Sequence, residues 1–196
     1  MSPKGRRRST SLNLNGDGYM IINREWAMPN KWTFQIPPIR RLLNKYVGDG
    51  KGWIDPFAGE NSPAEFTNDL NPTAPTTHHM DALDFIKSMH GTRYKGCTFD
   101  PPYSLRQVKE CYEGIGRHFT QHDSQNVVRW TEERDILQDV ILPGGLVISF
   151  GWTSTCMGEK RGFQIIEILL VSHGPAHNDT IVTVEKKNQM GLTDFS

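Results

Sequence analysis

Apolar positions in this chain follow two periods. In IRRLLNKYV (39–47), Ile39, Leu42, Leu43, Tyr46 and Val47 recur at helical spacing and stop at Gly48, which predicts an amphipathic helix closed by a glycine. ALDFIKSMH (82–90) and TEERDILQDVIL (131–142) show the same spacing. Between them lie short apolar runs that predict buried strands: GWID (52–55), EFTN (65–68), THHM (77–80), GCTFD (96–100) and LVISF (146–150). FQIIEILLVS (163–172) and TIVTVEKK (180–187), joined by a Gly/Pro/Asn turn, predict a hairpin. Strands alternating with helices imply an α/β fold with a mainly parallel sheet, and the C-terminal hairpin adds an antiparallel edge.

Residues 1–18 break the pattern. They are basic, rich in Ser, Asn and Gly, and nearly free of apolar side chains, so a disordered arm is expected. Residues 19–190 then form one domain and 191–196 a tail, which suits a chain of 196 residues. The net charge is zero, with 22 basic and 22 acidic residues, but it is unevenly spread. Lys4, Arg6, Arg7 and Arg8 stand in a stretch without an acid, and the remainder has 18 basic against 22 acidic residues. Contact with a polyanion is therefore local, or made by the arm; the alternative is a merely solvated tail.

Other features exclude classes. No apolar run reaches the roughly 20 residues of a membrane span, and no apolar stretch follows the basic N-terminus as in a secretory signal. Cys97, Cys111 and Cys156 form no CxxC pair, which favours a reducing, cytoplasmic setting. His118 and His122, like His173 and His177, stand four apart without an intervening Glu; they read as solvated surface histidines, and no metal is expected. One of His78 and His79, in a candidate strand, reads as a hydrogen-bonded core histidine.

The ends of the predicted strands carry the chemistry. They read DPFAG (Asp55 to Gly59), TNDLNP with Asp69 and Asn71, MDAL with Asp81, and DPPYS with Asp100. In an open α/β sheet, ligands bind outside the carboxyl ends of the strands. An acid at each of four such ends suits a ligand with ribose hydroxyls, an exocyclic amine or an ammonium group.

DPFAG followed 45 residues later by DPPY resembles the S-adenosylmethionine-dependent amino-methyltransferases that act on adenine N6 or cytosine N4 in DNA. KWTFQIPPI (31–39) is similar to their preceding cofactor motif, and LPGGLVISFGW (142–152) to a later strand of their fold. The ending HGPAHNDTIVTVEKK resembles compact, phage-borne adenine methyltransferases, which places the protein in a bacterial host cytoplasm. The resemblance covers about residues 26–187. It implies a Rossmann-like methyltransferase fold, S-adenosylmethionine as cofactor, DNA as partner, and adenine rather than cytosine as target, since DPPY goes more often with adenine.

The roles implied by this resemblance follow the motifs. Asp55, Pro56, Phe57, Ala58 and Gly59 form the floor under the cofactor's methionine part, bordered by Trp32, Thr33 and Phe34. Asp69, with Leu70 and Asn71, meets the ribose; Asp81, with Ala82, meets the cofactor's adenine. Asp100, together with the Pro101 carbonyl, holds the target amino group in a loop stiffened by Pro102, and Tyr103 stacks on the flipped base. Ser104, Arg106, Trp152 and Asn178 are candidate target contacts. Simpler roles stand beside these: Asp81 as a helix cap, Trp152 as a lid on the core, Asn178-Asp179 as a turn.

Three departures from the family pattern matter. Asp55 and Asp69 are only 14 residues apart, too close for a full crossover helix, so the helix N-terminus that would help hold the cofactor's carboxylate is lost. The segment 151–162 is short as well. Two patches of sheet are then expected to need cover, from a homodimer or the N-terminal segment; a monomeric hydrodynamic radius at micromolar concentration counts against the dimer. Finally, no stretch is long enough for a target-recognition domain, so specificity is expected to be short or relaxed and to reside in residues 104–130 and 152–162. The alternatives are an RNA, cytosine N4 or protein amide acceptor read by the same loop, or a non-catalytic cofactor-binding partner or anti-restriction protein.

Overall fold

A computed structural model describes residues 8–14, 18–116, 130–154 and 156–189. Its strands are β1 (Arg8–Leu14), β2 (Gly18–Trp26), β3 (Trp53–Asp55), β4 (Phe66–Thr67), β5 (Tyr94–Phe99), β6 (Ile141–Gly151), β7 (Phe163–Ser172) and β8 (Thr180–Lys187). Its helices are α1 (Pro37–Tyr46), α2 (Ala82–Ser88), α3 (Leu105–Gly114) and α4 (Thr131–Val140). The strands form one sheet in the order β1-β2-β7-β8-β6-β5-β3-β4. The β2–β7, β6–β5, β5–β3 and β3–β4 pairs are parallel; β1–β2, β7–β8 and β8–β6 are antiparallel. Consequently β2 to β7 all end at one edge of the sheet, and only β1 and β8 run against them. The mixed, mainly parallel sheet with its C-terminal hairpin and reduced crossovers is the architecture expected.

The sheet is covered on both faces by different means. On one face, Ile39, Leu42, Leu43 and Val47, in and just after α1, pack on Trp53, Ile148, Phe150, Leu169, Val171, Val182 and Val184. Pro37 and Pro38 open this helix, where a missing N–H costs nothing. On the other, α2 and α4 bury Phe85, Ile86, Leu137 and Val140 against Ile54, Cys97, Phe99 and Val147.

No helix joins β3 to β4. The Trp53 indole lies against Gly96 of β5, where a Cβ would come within 2.6 Å of the ring, and it joins the α1 cluster. The first bare patch is thus covered by α1, in the N-terminal part of the chain, with Trp53. On the face opposite α1, no described helix covers the outer part of β2, β7 and β8, and Ile22, Ile168, Leu170 and Ile181 are only half-buried there.

Three expectations are corrected. Residues 8–14 are not a disordered arm but β1, paired with β2 from Arg8↔Arg24 to Leu14↔Gly18; residues 1–7 and 15–17 lie outside the described residues. THHM forms no strand, only a single bridge between His78 and Asn68, because Thr76 and Thr77 spend their hydroxyls on local backbone and histidine contacts. His173 is buried, not on the surface. Its Nδ1 lies 2.8 Å from the Ala27 carbonyl oxygen and its Nε2 2.9 Å from the Thr180 hydroxyl; since a carbonyl only accepts, Nδ1 carries the proton. His118 and His122 lie outside the described residues. Among the described residues no helix is long and apolar enough to cross a membrane, and no group of His, Cys, Asp and Glu is arranged to hold a metal.

Candidate active site at the carboxyl edge of the sheet

A cleft of about 630 Å³ opens where β3, β4 and β5 end. Thr33, Pro56, Phe57, Asp69, Leu70, Asn71, Asp81, Ala82, Asp100, Pro101, Pro102 and Tyr103 line it. Segments distant in sequence therefore converge as the strand-end reading requires.

The loop after β3 is built by its own acids. Asp55 is fully buried and accepts from the Phe57 N–H (3.0 Å) and the Ser62 hydroxyl (2.6 Å). Asp69 Oδ2 accepts from the Gly59 N–H (3.0 Å), and its Oδ1 from the Asn71 N–H (2.8 Å). Gly59 has φ +55°, a left-handed backbone that glycine adopts readily. The Ala58 N–H donates to the Asn68 carbonyl at 2.8 Å. Asp55, Ala58 and Gly59 thus shape the loop from behind the cleft wall.

Asp81 caps α2, its Oδ1 accepting from the Leu83 N–H at 2.9 Å. A carboxylate has about four acceptor sites, so capping and ligand contact are compatible. Phe34 is withdrawn into the α1 core, 5.1 Å from the Phe150 ring. Trp32 stands beside Gly59 at the rim, with Lys31 Nζ 4.4 Å from the centre of its ring.

The DPPY loop ends β5. Burial pushes the Asp100 carboxyl up to about 6, against the hydroxyls of Tyr103 and Thr33, which favour its charged form. Tyr103 donates its hydroxyl to Asp100 Oδ1, and burial beside that carboxylate holds the phenol well above its usual range. Burial likewise raises Asp55 to about 7, despite the Ser62 and Phe57 bonds. Asp100 lines the cleft and Asp55 stands behind its wall; a perturbed carboxyl in a cleft is a functional-site candidate.

The candidate target contacts are scattered. Trp152 is exposed with its ring 5.8 Å from Tyr103; the lid reading fails for it. Ser104 is the N-cap of α3, in a capping box with Gln107. Arg106 points to solvent, paired with Glu110 at 2.7 Å. Asn178 is exposed in the β7–β8 turn, away from the cleft lining. Glu60 is exposed and does not line the cleft.

Sequence reasoning missed several lining residues, including Lys31, Asn68, Gln107, Tyr112 and Trp130. Lys31 could have been found, being the cation beside the Trp32 motif. Trp130 could not, because its position rests on backbone geometry. It has φ +46°, uncommon for a bulky residue, and its ring packs edge-on to Phe57 at 4.9 Å.

No sequence-family model and no curated protein matches this chain. Solved structures do. TrmN from Thermus thermophilus superposes with a TM-score of 0.51 at 15% identity, covering 78% of this chain and 49% of that one. The chain has the Rossmann-like methyltransferase fold. It spans about half the length of TrmN. Similar too are 1,6-didemethyltoxoflavin-N1-methyltransferase from Burkholderia thailandensis, with bound S-adenosylhomocysteine (TM-score 0.49, 11% identity, 78% of this chain and 77% of that one), and the N-methyltransferase NodS from Bradyrhizobium japonicum WM9, also with S-adenosyl-L-homocysteine (0.45, 11%, 81% and 93%).

Proposed function

We propose that this protein transfers a methyl group from S-adenosylmethionine to the N6 amino group of an adenine flipped out of DNA, at a short or relaxed target site. The observation that carries the proposal is the convergence of the DPPY loop with Asp69 and Asp81 in one cleft at the carboxyl edge.

The lining chemistry fits the cofactor. S-adenosylmethionine combines a diol, an aromatic amine and an ammonium, all of which donate, with one carboxylate. The cleft offers Asp69, Asp81 and Asp100 as acceptors and a single described cation, Lys31. With the first crossover helix absent, Lys31 is the group suited to the carboxylate. Asp69 would meet the ribose and Asp81 the adenine amine. When bound, the cofactor supplies an electrophilic methyl on a sulfonium.

The rest is done by this chain. The lone pair of an exocyclic amine is delocalised into its ring, which makes it a weak nucleophile. Asp100 and the Pro101 carbonyl, accepting from its two N–H groups, favour a pyramidal, more nucleophilic nitrogen. The Tyr103 hydroxyl already sits on Asp100 Oδ1, and the entering amine takes its place there while the ring turns to stack on the base. The carboxylate, poised near 6, can then hold the proton that the methylated nitrogen gives up. Placement in line with the methyl contributes the rest of the rate.

The test is nucleoside mass spectrometry of unmethylated bacterial DNA incubated with the protein and S-adenosylmethionine. N6-methyladenine supports the reading, and N4-methylcytosine corrects the base. Cofactor binding without any methylated nucleoside overturns it, in favour of an RNA or protein acceptor or a non-catalytic role.

A further inference from the structure

The acids of the carboxyl edge gather at one end. Asp69, Asp81, Asp100 and Glu110 line the cleft beyond β5. The opposite half of the same edge, from β6 to β2, has a different composition. Three of the five exposed large apolar side chains among the described residues lie along this half: Trp26 (53% exposed), Met28 (64%) and Trp152 (45%); Leu105 opens α3 on the acidic side of β6. The fifth, Leu142, lies near the start of β6, at the opposite edge.

Trp26 ends β2, the strand that sequence reading missed, and Met28 follows two residues later. Along β2 and the two residues after it, Asn23 and Ala27 are buried, while Arg24, Trp26 and Met28 are exposed, the alternation of an extended chain. Glu25 turns to the side of α1 and pairs with Arg41. The backbone between the two exposed apolar residues is fixed: the Ala27 N–H donates to Ser172 at 3.1 Å, and the Ala27 carbonyl accepts from His173. Apolar side chains held outward on a pinned backbone resemble a prepared contact surface more than fraying.

Charge identifies what fits there. Backbone register sets Arg8 beside Arg24 at this same edge, and in the sequence Arg8 closes an acid-free basic run. Between β2 and β6 lie Ser172, His177 and Asn178; the one acid, Asp179, is engaged by the His173 N–H at 3.3 Å. Arg24 and two exposed indole rings, against the single carboxylate of Asp179, suit a polyanion with stackable bases. Three strand spacings separate β2 from β6, about 15 Å, the length of about four stacked nucleotides.

We infer that the β1–β2 hairpin is the target-binding extension of the catalytic sheet: the DNA strand flanking the flipped base runs from Trp152 along the carboxyl edge to Arg24, Trp26 and Met28. This rests on the proposed DNA methyl transfer. It keeps Trp152 from the expected segment 152–162 and adds residues of β2 and just after it, which no expected segment contains.

The experiment compares the full-length protein with Trp26→Ala/Met28→Ala and with Trp26→Tyr, measuring KM and kcat on unmethylated bacterial DNA and the cofactor's Kd by calorimetry. Loss of a stacking platform should raise the double variant's KM for DNA about tenfold, with the loss confined to KM, cofactor affinity unmoved and the melting temperature that of the parent. Trp26→Tyr keeps an aromatic face and should stay within about threefold of the parent. An unchanged KM in the double variant, or a fall in kcat alone, overturns the inference while DNA methylation stands. A parent protein that binds cofactor but methylates no DNA removes the proposed function and the inference with it.

Discussion

Two buried acids at opposite ends of the sheet have opposite fates. Asp55, at the end of β3, accepts only from neutral donors, and burial raises it to about 7. Burial also works against Glu167 in β7, but there Lys45 at 2.5 Å, the Tyr46 hydroxyl at 2.7 Å and the Asn23 amide at 2.8 Å outweigh it, and its carboxyl lies below the usual range. A cation decides the difference. Glu167 is a clamp that ties β2 and α1 to β7. Asp55 and its neighbour Asp100 have no such partner and sit near neutrality, in the region where a proton can be held or released. The contrast teaches where this fold keeps its chemistry and where it keeps its anchor.

The strongest way to break that contrast is to remove the poised acid. Asp100→Ala should lower methyl transfer about a thousandfold, the scale of losing a group that acts on charge in the transition state, while calorimetric cofactor affinity changes only a few-fold. Equal loss of cofactor binding would make Asp100 an anchor too. Conversely, Glu167→Ala should cost about 2 kcal/mol in urea unfolding, because the buried Asn23 amide and the Tyr46 hydroxyl lose their acceptor. Methylation at a temperature where the variant is folded should persist.

Asp81 tests whether one residue can serve both purposes. Asp81→Ser keeps a cap-forming oxygen but cannot reach the cleft. It should weaken cofactor binding about tenfold, equivalent to about 1.4 kcal/mol, with little change in melting temperature.

Titration sharpens the comparison with smaller effects. The carboxylate form of Asp100 is the one that accepts from an amine, so the rate should fall as pH drops through about 6. For stability the two ends have opposite signs. Folded Asp55 keeps a proton up to about 7 that an unfolded Asp has already released, so its contribution falls as pH rises from about 4 to about 7. The melting advantage of the parent over Asp55→Asn should shrink across that window, by at most about 1.4 kcal/mol per pH unit. Glu167 is lowered. Its contribution is present above the unfolded carboxylate range and lost on acidification, so the advantage over Glu167→Gln should grow with pH there. Parallel slopes in the two series would refute the distinction between clamp and poised acid.

How far the sequence could be read depended on which force fixed each element. The β7–β8 hairpin and α1 were legible because apolar periodicity alone sets them. Asp69 and Asp100 were legible because each follows a strand, and Asp81 because it stands just before an apolar helical pattern. β2 was not: its inward positions include Asn23 and Glu25, polar side chains whose partners are supplied by β7, 144 residues away, and by α1, 16 residues away. Nor was α3, whose start depends on the Ser104–Gln107 capping box rather than on an apolar stripe. The role of Asp69 was half legible, since its motif marks the cleft but its bonds to Gly59 and Asn71 exist only in the fold.

Trp53 and Gly96 give the shortened crossover a hereditary cost. Where a helix covers a sheet, many positions share the load and each can drift. Here one indole fills the gap, and the strand beside it must be bare at one position. A methyl group on Gly96 expels the ring, and a smaller residue at 53 leaves a hole under α1. Descendants of this chain are free to change either residue only in step with the other.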